Sequence, residues 1–206
     1  MKHFFHNSEE SDQVFILLHG TGGRETDLLP AAGQVDSSLS VLGIRGDVEE
    51  KGQFRYFKRK PDGSMDEESL KVKTQDLLDF LSNAVKIYQL DKKVLHLIGY
   101  SNGANMAVSL ILHRPELFRS AMLFHPSHPL QSYNDVWLNR LDIFVTAGAM
   151  DQLVLPSEAV QLKKHLSLLG ANVSLHLTDH GHELRNSEFA QASKWWNEKI
   201  MRSGMI

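Results

Sequence analysis

The sequence contains no cysteine, and that absence excludes disulfides, thiolate metal sites and a cysteine nucleophile together. Any nucleophile in this chain is an oxygen or a nitrogen. Long hydrophobic runs are missing too: no apolar stretch approaches the roughly 20 residues needed to span a bilayer. The segment from Met1 to Asp12 lacks the basic start and apolar core of a secretory signal, so a cytoplasmic location without stable membrane association is expected. Charge of one sign is scarce as well. The formal net charge of -3 gives no broad attraction to nucleic acid or anionic lipid, and no nucleic-acid partner is expected. The 11 histidines are scattered and no HExxH pattern occurs, so neither a metal nor a cofactor is expected.

What is present is an ordinary globular composition. With 206 residues, 42% of them hydrophobic and 23% charged, the chain is long enough to bury a sizeable core, and one domain over 1–206 is the expectation. Short, continuous apolar runs lie at Val14 to Leu18, Leu39 to Gly43, Val94 to Gly99, Ala121 to Phe124, Asp142 to Thr146 and Val173 to Leu177. Runs of that kind are strands buried on both faces, as in parallel sheets. Helical spacing lies between them. Leu70, Thr74, Leu77, Leu81, Ala84 and Tyr88 share one face, and Ala159, Leu162, Leu166 and Leu169 share another that stops at Gly170. Ala104 to His113 reads as a helix ended by Pro115, and Phe189, Ala192, Trp196 and Ile200 mark a final amphipathic helix.

Alternating strands and helices imply an α/β fold, a mostly parallel sheet with helices on both faces. Ligands of such sheets sit beyond the carboxyl ends of the strands. No internal repeat, low-complexity segment or linker interrupts the pattern. Arg45 to Asp66, with its charges, aromatics and Pro61-Asp62-Gly63 turn, reads as a long loop. Between Phe124 and Asp142 there is room for one short helix and none for a separate cap domain, so the pocket should be open.

Gly99-Tyr100-Ser101-Asn102-Gly103 matches GxSxG, in which a nucleophile sits on a tight strand-to-helix turn and flanking glycines relieve the crowding. Alone the match is weak, since a random chain of this length would show it roughly once in fifteen sequences. Its context is stronger: the strand Val94 to Ile98 runs into the motif and a helical segment leaves it. The competing reading, in which Ser101 merely caps the helix, leaves the later loops unexplained. In a nucleophile-elbow fold an acid and then a histidine follow on later loops. Asp151 follows a strand through Ala147-Gly148-Ala149-Met150, whereas Asp142 sits at the wrong end of that strand. Thr178-Asp179-His180-Gly181-His182-Glu183 follows the last strand and offers two histidines. Both compete, with His182 favoured because Gly181 lets the loop carry its ring back toward the elbow. His19, His96, His113 and His165 read as surface or core residues.

The first strand ends in His19-Gly20-Thr21-Gly22-Gly23, a turn whose amides can face a developing oxyanion, with Thr21 and Asn102 as the expected donors. A nucleotide-binding turn is disfavoured, because the full GxGxxG spacing and the Lys-Ser/Thr of a P-loop are absent.

With HGTGG, GYSNG, an aspartate after the Ala-Gly turn and GHEL in this order, the chain resembles the bacterial phospholipase/carboxylesterase group of α/β-hydrolases across nearly its full length. The resemblance implies a serine esterase with nucleophile Ser101, acid Asp151, base His182 and an oxyanion turn at Thr21. It also implies that Leu42 to Gly46, with Arg45, and His125-Pro126 line the site. Dienelactone hydrolases, near relatives in architecture, use a cysteine that this chain cannot supply. The antiparallel edge strands of larger relatives should here be cut down to the region around His3 to Phe5.

Phe54, Tyr56 and Phe57 are candidates for an apolar acyl wall, and Arg55, Lys58, Arg59 and Lys60 for attracting an anionic substrate; the equally weighted alternative tucks the aromatics under the loop and solvates the charges. Hydrolysis of a small-molecule ester with a short to medium acyl group is the leading expectation. The alternatives are a lysophospholipase or acyl-protein thioesterase-like deacylase and a noncatalytic ligand-binding protein of the same fold. Trp137, Trp195 and the terminal helix are the candidate contacts for a homodimer.

Overall fold

Segments with apolar residues on both faces have no stable place at a surface, and here they form the middle of a seven-stranded sheet. The computed structural model describes residues 1–127, 136–139 and 141–202. Its strands are β1 (His3–His6), β2 (Gln13–Leu18), β3 (Ser40–Ile44), β4 (Val48–Glu50), β5 (Gln53–Arg55), β6 (Val94–Tyr100), β7 (Phe118–Phe124), β8 (Asp142–Gly148) and β9 (Asn172–Thr178). Its helices are α1 (Leu29–Val35), α2 (Glu67–Ile87), α3 (Asn102–His113), α4 (Pro156–Leu168) and α5 (Asn186–Trp196).

The sheet order is β1-β3-β2-β6-β7-β8-β9, and every pairing is parallel except that of β1 with β3. The chain lays β3 on one side of β2 and then crosses through α2 to set β6 on the other. That reversal opens a crevice beyond the carboxyl ends of β2 and β6. The turn after β2 and the turn after β6 therefore face each other.

Alternation within each strand divides the core. Ile16, Leu18, Leu97, Leu123 and Val145 point to the side covered by α2, α3 and α4. Phe15, Leu17, Ile98, Met122, Phe124 and Phe144 point to the side covered by α1 and α5. Burying side chains of this size contributes about 1.5–3 kcal/mol each, which is why the pattern fixes both layers. Helix α2 starts where the Asp66 carboxylate accepts from the Ser69 amide at 3.0 Å, with Glu67 and Glu68 favourably placed in the first turn.

Three local features differ from the sequence expectation. Residues 45–66 are not one loop: β4 and β5 pair antiparallel across Lys51-Gly52, whose positive φ values of 53° and 78° suit a tight hairpin turn. Strands of three residues each carry too little periodicity to announce themselves. Helix α1 lacks a side-chain N-cap and contains Gly33, so local propensity is poor; Pro30 is tolerated in its first turn, and Ala31, Ala32 and Val35 hold it by burial. Trp195 is buried on α5, 6% exposed, and so is withdrawn as a dimer contact, whereas Trp137 is exposed.

The edge strand expected near His3 is β1. The short helix expected between Phe124 and Asp142 falls largely on 128–135, outside the described residues. No separate cap stands over the sheet among the described residues, and no helix there is long and apolar enough to cross a membrane.

Candidate active site

Strand β6 delivers Ser101 to the crevice in a conformation few non-glycine residues adopt, φ 51° and ψ -113°. Such a backbone costs on the order of 1–3 kcal/mol and persists only where neighbours hold it. Two hydrogen bonds do so: the Ser101 amide donates to the Phe124 carbonyl at 2.9 Å, and the Ser101 carbonyl accepts from the Asn105 amide at 3.0 Å. A Cβ on Gly103 would overlap the Leu18 carbonyl, so the motif's second glycine lets α3 approach β2.

Ser101 Oγ lies 2.8 Å from His182 Nε2, and His182 Nδ1 lies 2.6 Å from Asp151 Oδ2. The carboxylate fixes the tautomer: Nδ1 carries the proton and donates to it, which leaves Nε2 to accept from the serine hydroxyl. Asp151 Oδ1 accepts from the Leu153 and Val154 amides at 2.8 and 2.9 Å. Burial alone would raise the Asp151 pKa, but the Val154 amide, the His182 bond and the Leu153 amide together hold it below the ordinary aspartate value. The Tyr100 hydroxyl donates to the His182 carbonyl at 2.8 Å and pins the loop. A Cβ on Gly148 would overlap the Gly181 carbonyl, so that glycine is what lets the acid loop and the histidine loop touch.

His180, the other histidine of that loop, turns away from Ser101. Its Nε2 lies 3.4 Å from Glu188 Oε2. Glu188 is fully buried in the first turn of α5 and was not singled out by the sequence. Its Oε1 accepts from His125 Nε2 at 2.9 Å and Thr146 Oγ1 at 2.6 Å, and its Oε2 from the Arg185 amide at 2.9 Å. Burial would raise its pKa, but those His125 and Thr146 bonds hold it below the usual glutamate range. A glutamate three residues into a helix often caps it; nothing in the sequence says that it also reaches β7 and β8.

The turn after β2 is fixed by His19. Its Nδ1 donates to the Gly20 carbonyl at 2.6 Å and its Nε2 accepts from the Gly46 amide at 3.1 Å, which requires the neutral ring; burial lowers its pKa accordingly. The buried Tyr56 hydroxyl accepts from the His19 amide at 3.0 Å and donates to the Ile44 carbonyl at 2.6 Å. Thr21 and Asn102 both face the cavity that holds Ser101. Asn102 opens α3, so its amide has no acceptor four residues back within the helix and is available to a ligand. Its side-chain Oδ1 accepts from the Tyr56 amide at 2.8 Å.

The cavity measures about 650 Å³ and opens over Ser101 and His182. Phe57, Met65, Leu153 and Val154 form apolar parts of its wall, and Arg55, Arg59 and Lys60 basic ones. Phe57 thus takes the expected place. Four expected lining residues do not. Arg45 pairs with Glu25 at 2.6 Å, and its guanidinium stacks on Phe54 at 4.8 Å from the ring centre, so the two residues occupy each other away from the wall. His125 is 1% exposed and stands behind the site, its Nδ1 3.5 Å from Asp151 Oδ2. Tyr56 is spent on the fold.

His125 with Asp151 and His182, and His125 with His180 and Glu188, each bring potential metal-ligand atoms within 4.8 Å of one another. In the first group a metal would displace the bond from His182 to Asp151, and in the second the bond from His125 to Glu188.

The phospholipase/carboxylesterase family matches residues 47–200 of this chain. Over 98% of its length the chain is 39% identical to a Bacillus subtilis (strain 168) protein named "Putative hydrolase MhqD", all of which is covered. The crystal structure of a Bacillus cereus carboxylesterase superposes with a TM-score of 0.93 at 40% identity, covering 97% of this chain and 95% of that one. A Mesorhizobium loti carboxylesterase superposes at 0.83 with 30% identity over 90% and 88% of the two chains. YahD, solved with malic acid, superposes at 0.89 with 30% identity over 96% and 98%.

Proposed function

This chain belongs to the phospholipase/carboxylesterase family of α/β-hydrolases and is a carboxylic ester hydrolase, and from that premise we propose that it cleaves short to medium acyl esters through an acyl-enzyme on Ser101. The observation that carries the reading is the relay Asp151–His182–Ser101, two hydrogen bonds of 2.6 and 2.8 Å ending in a nucleophile that faces a cavity.

The hydroxyl of Ser101 adds to the ester carbonyl while His182 Nε2 takes its proton. The carbonyl oxygen becomes an oxyanion facing the amides of Thr21 and Asn102, each such donor contributing about 2.7–4 kcal/mol of transition-state stabilisation. Collapse of this intermediate breaks the bond to the alcohol, whose oxygen receives the proton from His182. A water then repeats the addition with His182 again as base, and the acid leaves as Ser101 regains its proton. Asp151, ionised throughout, orients His182 and stabilises the imidazolium.

A cavity of about 650 Å³ is of the size that holds a small molecule, which favours a small ester over a long lipid chain. Replacing Ser101 with alanine is expected to lower kcat on p-nitrophenyl esters by about 10⁶-fold and to abolish the mass shift from a fluorophosphonate probe. A folded mutant that keeps both overturns the proposal. Across acyl lengths, kcat/KM should peak at short to medium chains; a steady rise toward long chains would favour a lysophospholipid or acyl-protein deacylase.

A further inference from the structure

Arg55 is the last residue of β5, and its neighbours in the chain tie it to both halves of the site. The Phe54 carbonyl accepts from the Gly22 amide of the oxyanion turn at 2.8 Å, and the Tyr56 amide donates to Asn102 Oδ1, beside Ser101, at 2.8 Å. Arg55 itself lines the cavity shared by Ser101 and His182. Only 11% of its side chain is exposed, and its Nε and Nη1 are buried without a hydrogen-bond partner. The carboxylate it meets, Glu50, comes within 3.4 Å of Nε but makes no hydrogen bond, and is itself 35% exposed.

A guanidinium held this way is incomplete. Burying a charge is unfavourable unless it is paired and hydrogen-bonded, and guanidinium donors form a planar fork that matches a carboxylate. Burial, with repulsion from Arg59 and against the pull of Glu50, lowers the Arg55 pKa, so the site would gain from an anion. Arg59 and Lys60 face the same cavity and add to that attraction. Thr21 Oγ1, also on the cavity wall, is buried without a partner and offers a further donor. Glu67 and Glu158 face it as well, from the first turns of α2 and α4. The cavity is therefore not uniformly basic, and room for an anion is set by where Arg55 stands.

We propose that Arg55 is a specificity-determining residue that binds a carboxylate carried by the ester substrate, so that the enzyme prefers small esters bearing a free acid group to their neutral counterparts. This inference rests on Ser101 as the nucleophile, and its test keeps the two apart. With the full chain, kcat/KM is compared for the p-nitrophenyl monoester of succinic acid against p-nitrophenyl butyrate, and for carboxyphenyl acetate against phenyl acetate. The first pair places the charge on the acyl side and the second on the alcohol side. In at least one pair the ratio of anionic to neutral ester should fall about tenfold in Arg55→Gln, mainly through KM, and recover in part in Arg55→Lys. Salt at about 0.5 M should lower the wild-type ratio in the same direction.

Ratios in Arg55→Gln that equal the wild type in both pairs overturn the inference. If Ser101 still takes up a fluorophosphonate in that case, only the role of Arg55 falls; if wild-type Ser101 does not react at all, the esterase reading falls with it. Should Arg55→Gln not fold, succinate is tested as an inhibitor of wild-type butyrate-ester turnover. Competitive inhibition that weakens with salt supports the carboxylate site, and its absence overturns it.

Discussion

The carboxylates behind the His182 ring and the guanidinium in front of it are built on opposite principles. Behind it, every carboxylate oxygen of Asp151 and Glu188 has a hydrogen-bond donor, drawn from backbone amides, Thr146, His125 and His182 itself. In front of it, Arg55 holds buried guanidinium nitrogens that have none. Groups that must not move during a reaction profit from being fully partnered before substrate arrives. Groups that choose a substrate profit from being left incomplete, because only the right ligand removes the cost of burying them.

The widest gap between the two sides should appear in catalysis. Asp151→Asn retains the shape of the rear wall but removes the charge that fixes the His182 tautomer, so kcat should fall by about 10⁴-fold on neutral and anionic esters alike. Steady-state kinetics on both ester classes checks this, and a loss confined to anionic esters would break the contrast with Arg55.

Stability should separate the walls next. Glu188→Ala leaves His125 Nε2 and Thr146 Oγ1 without an acceptor in a buried place and takes away the partner of the Arg185 amide. A cost of about 3 kcal/mol follows, or roughly 10 °C in the melting temperature of a chain this size. Arg55→Gln removes a charge that meets only the partly exposed Glu50, without a hydrogen bond, and should change the melting temperature far less. Equal losses in calorimetry would show that the front wall is structural as well.

Acid provides a subtler probe. His96 is fully buried away from the cavity, with Nδ1 2.7 Å from Ser120 Oγ, and burial followed by repulsion from Arg119 lowers its pKa to about 3. A histidine held neutral stabilises the fold fully above its unfolded value of 6.5. As pH falls below that value the unfolded chain takes up the proton first, and stability drops by up to about 1.4 kcal/mol per pH unit until the folded pKa is reached. His19, lowered in the same direction, adds to this. Asp151 and Glu188, whose pKa values are depressed, contribute stability above the carboxylate range and lose it only at lower pH. Melting curves between pH 6.5 and 5 should therefore flatten in His96→Gln and not in Glu188→Ala. The smallest effect belongs to the exposed pair Arg114–Glu116, where Arg114→Ala should stay within about 0.5 kcal/mol.

The sequence showed the front and rear walls unequally. Strands β2, β3, β6, β7 and β8 were legible because both their faces are apolar, and Asp151 and His182 were locatable because they follow β8 and β9 on short loops. The hairpin β4–β5 was not, since its partners are polar and its strands short. Arg45 and Phe54 looked like site residues, yet Glu25, distant in sequence, draws Arg45 onto the Phe54 ring. Glu188 carried only the signal of a helix start.

Taken alone, the chain determined the order of its strands and helices, because hydrophobic periodicity is local and burial enforces it. It determined also that Ser101, the serine of the GxSxG segment, would sit at a strand-to-helix turn, in a chain with no cysteine to stand in its place. What only the tertiary structure decided is which way each ring and guanidinium turns. His182 reaches Ser101 while His180 reaches Glu188, from positions two residues apart, and Arg55 faces the cavity while Phe54 beside it does not. Those orientations depend on partners from distant strands and helices, whose distances and hydrogen bonds no local pattern encodes.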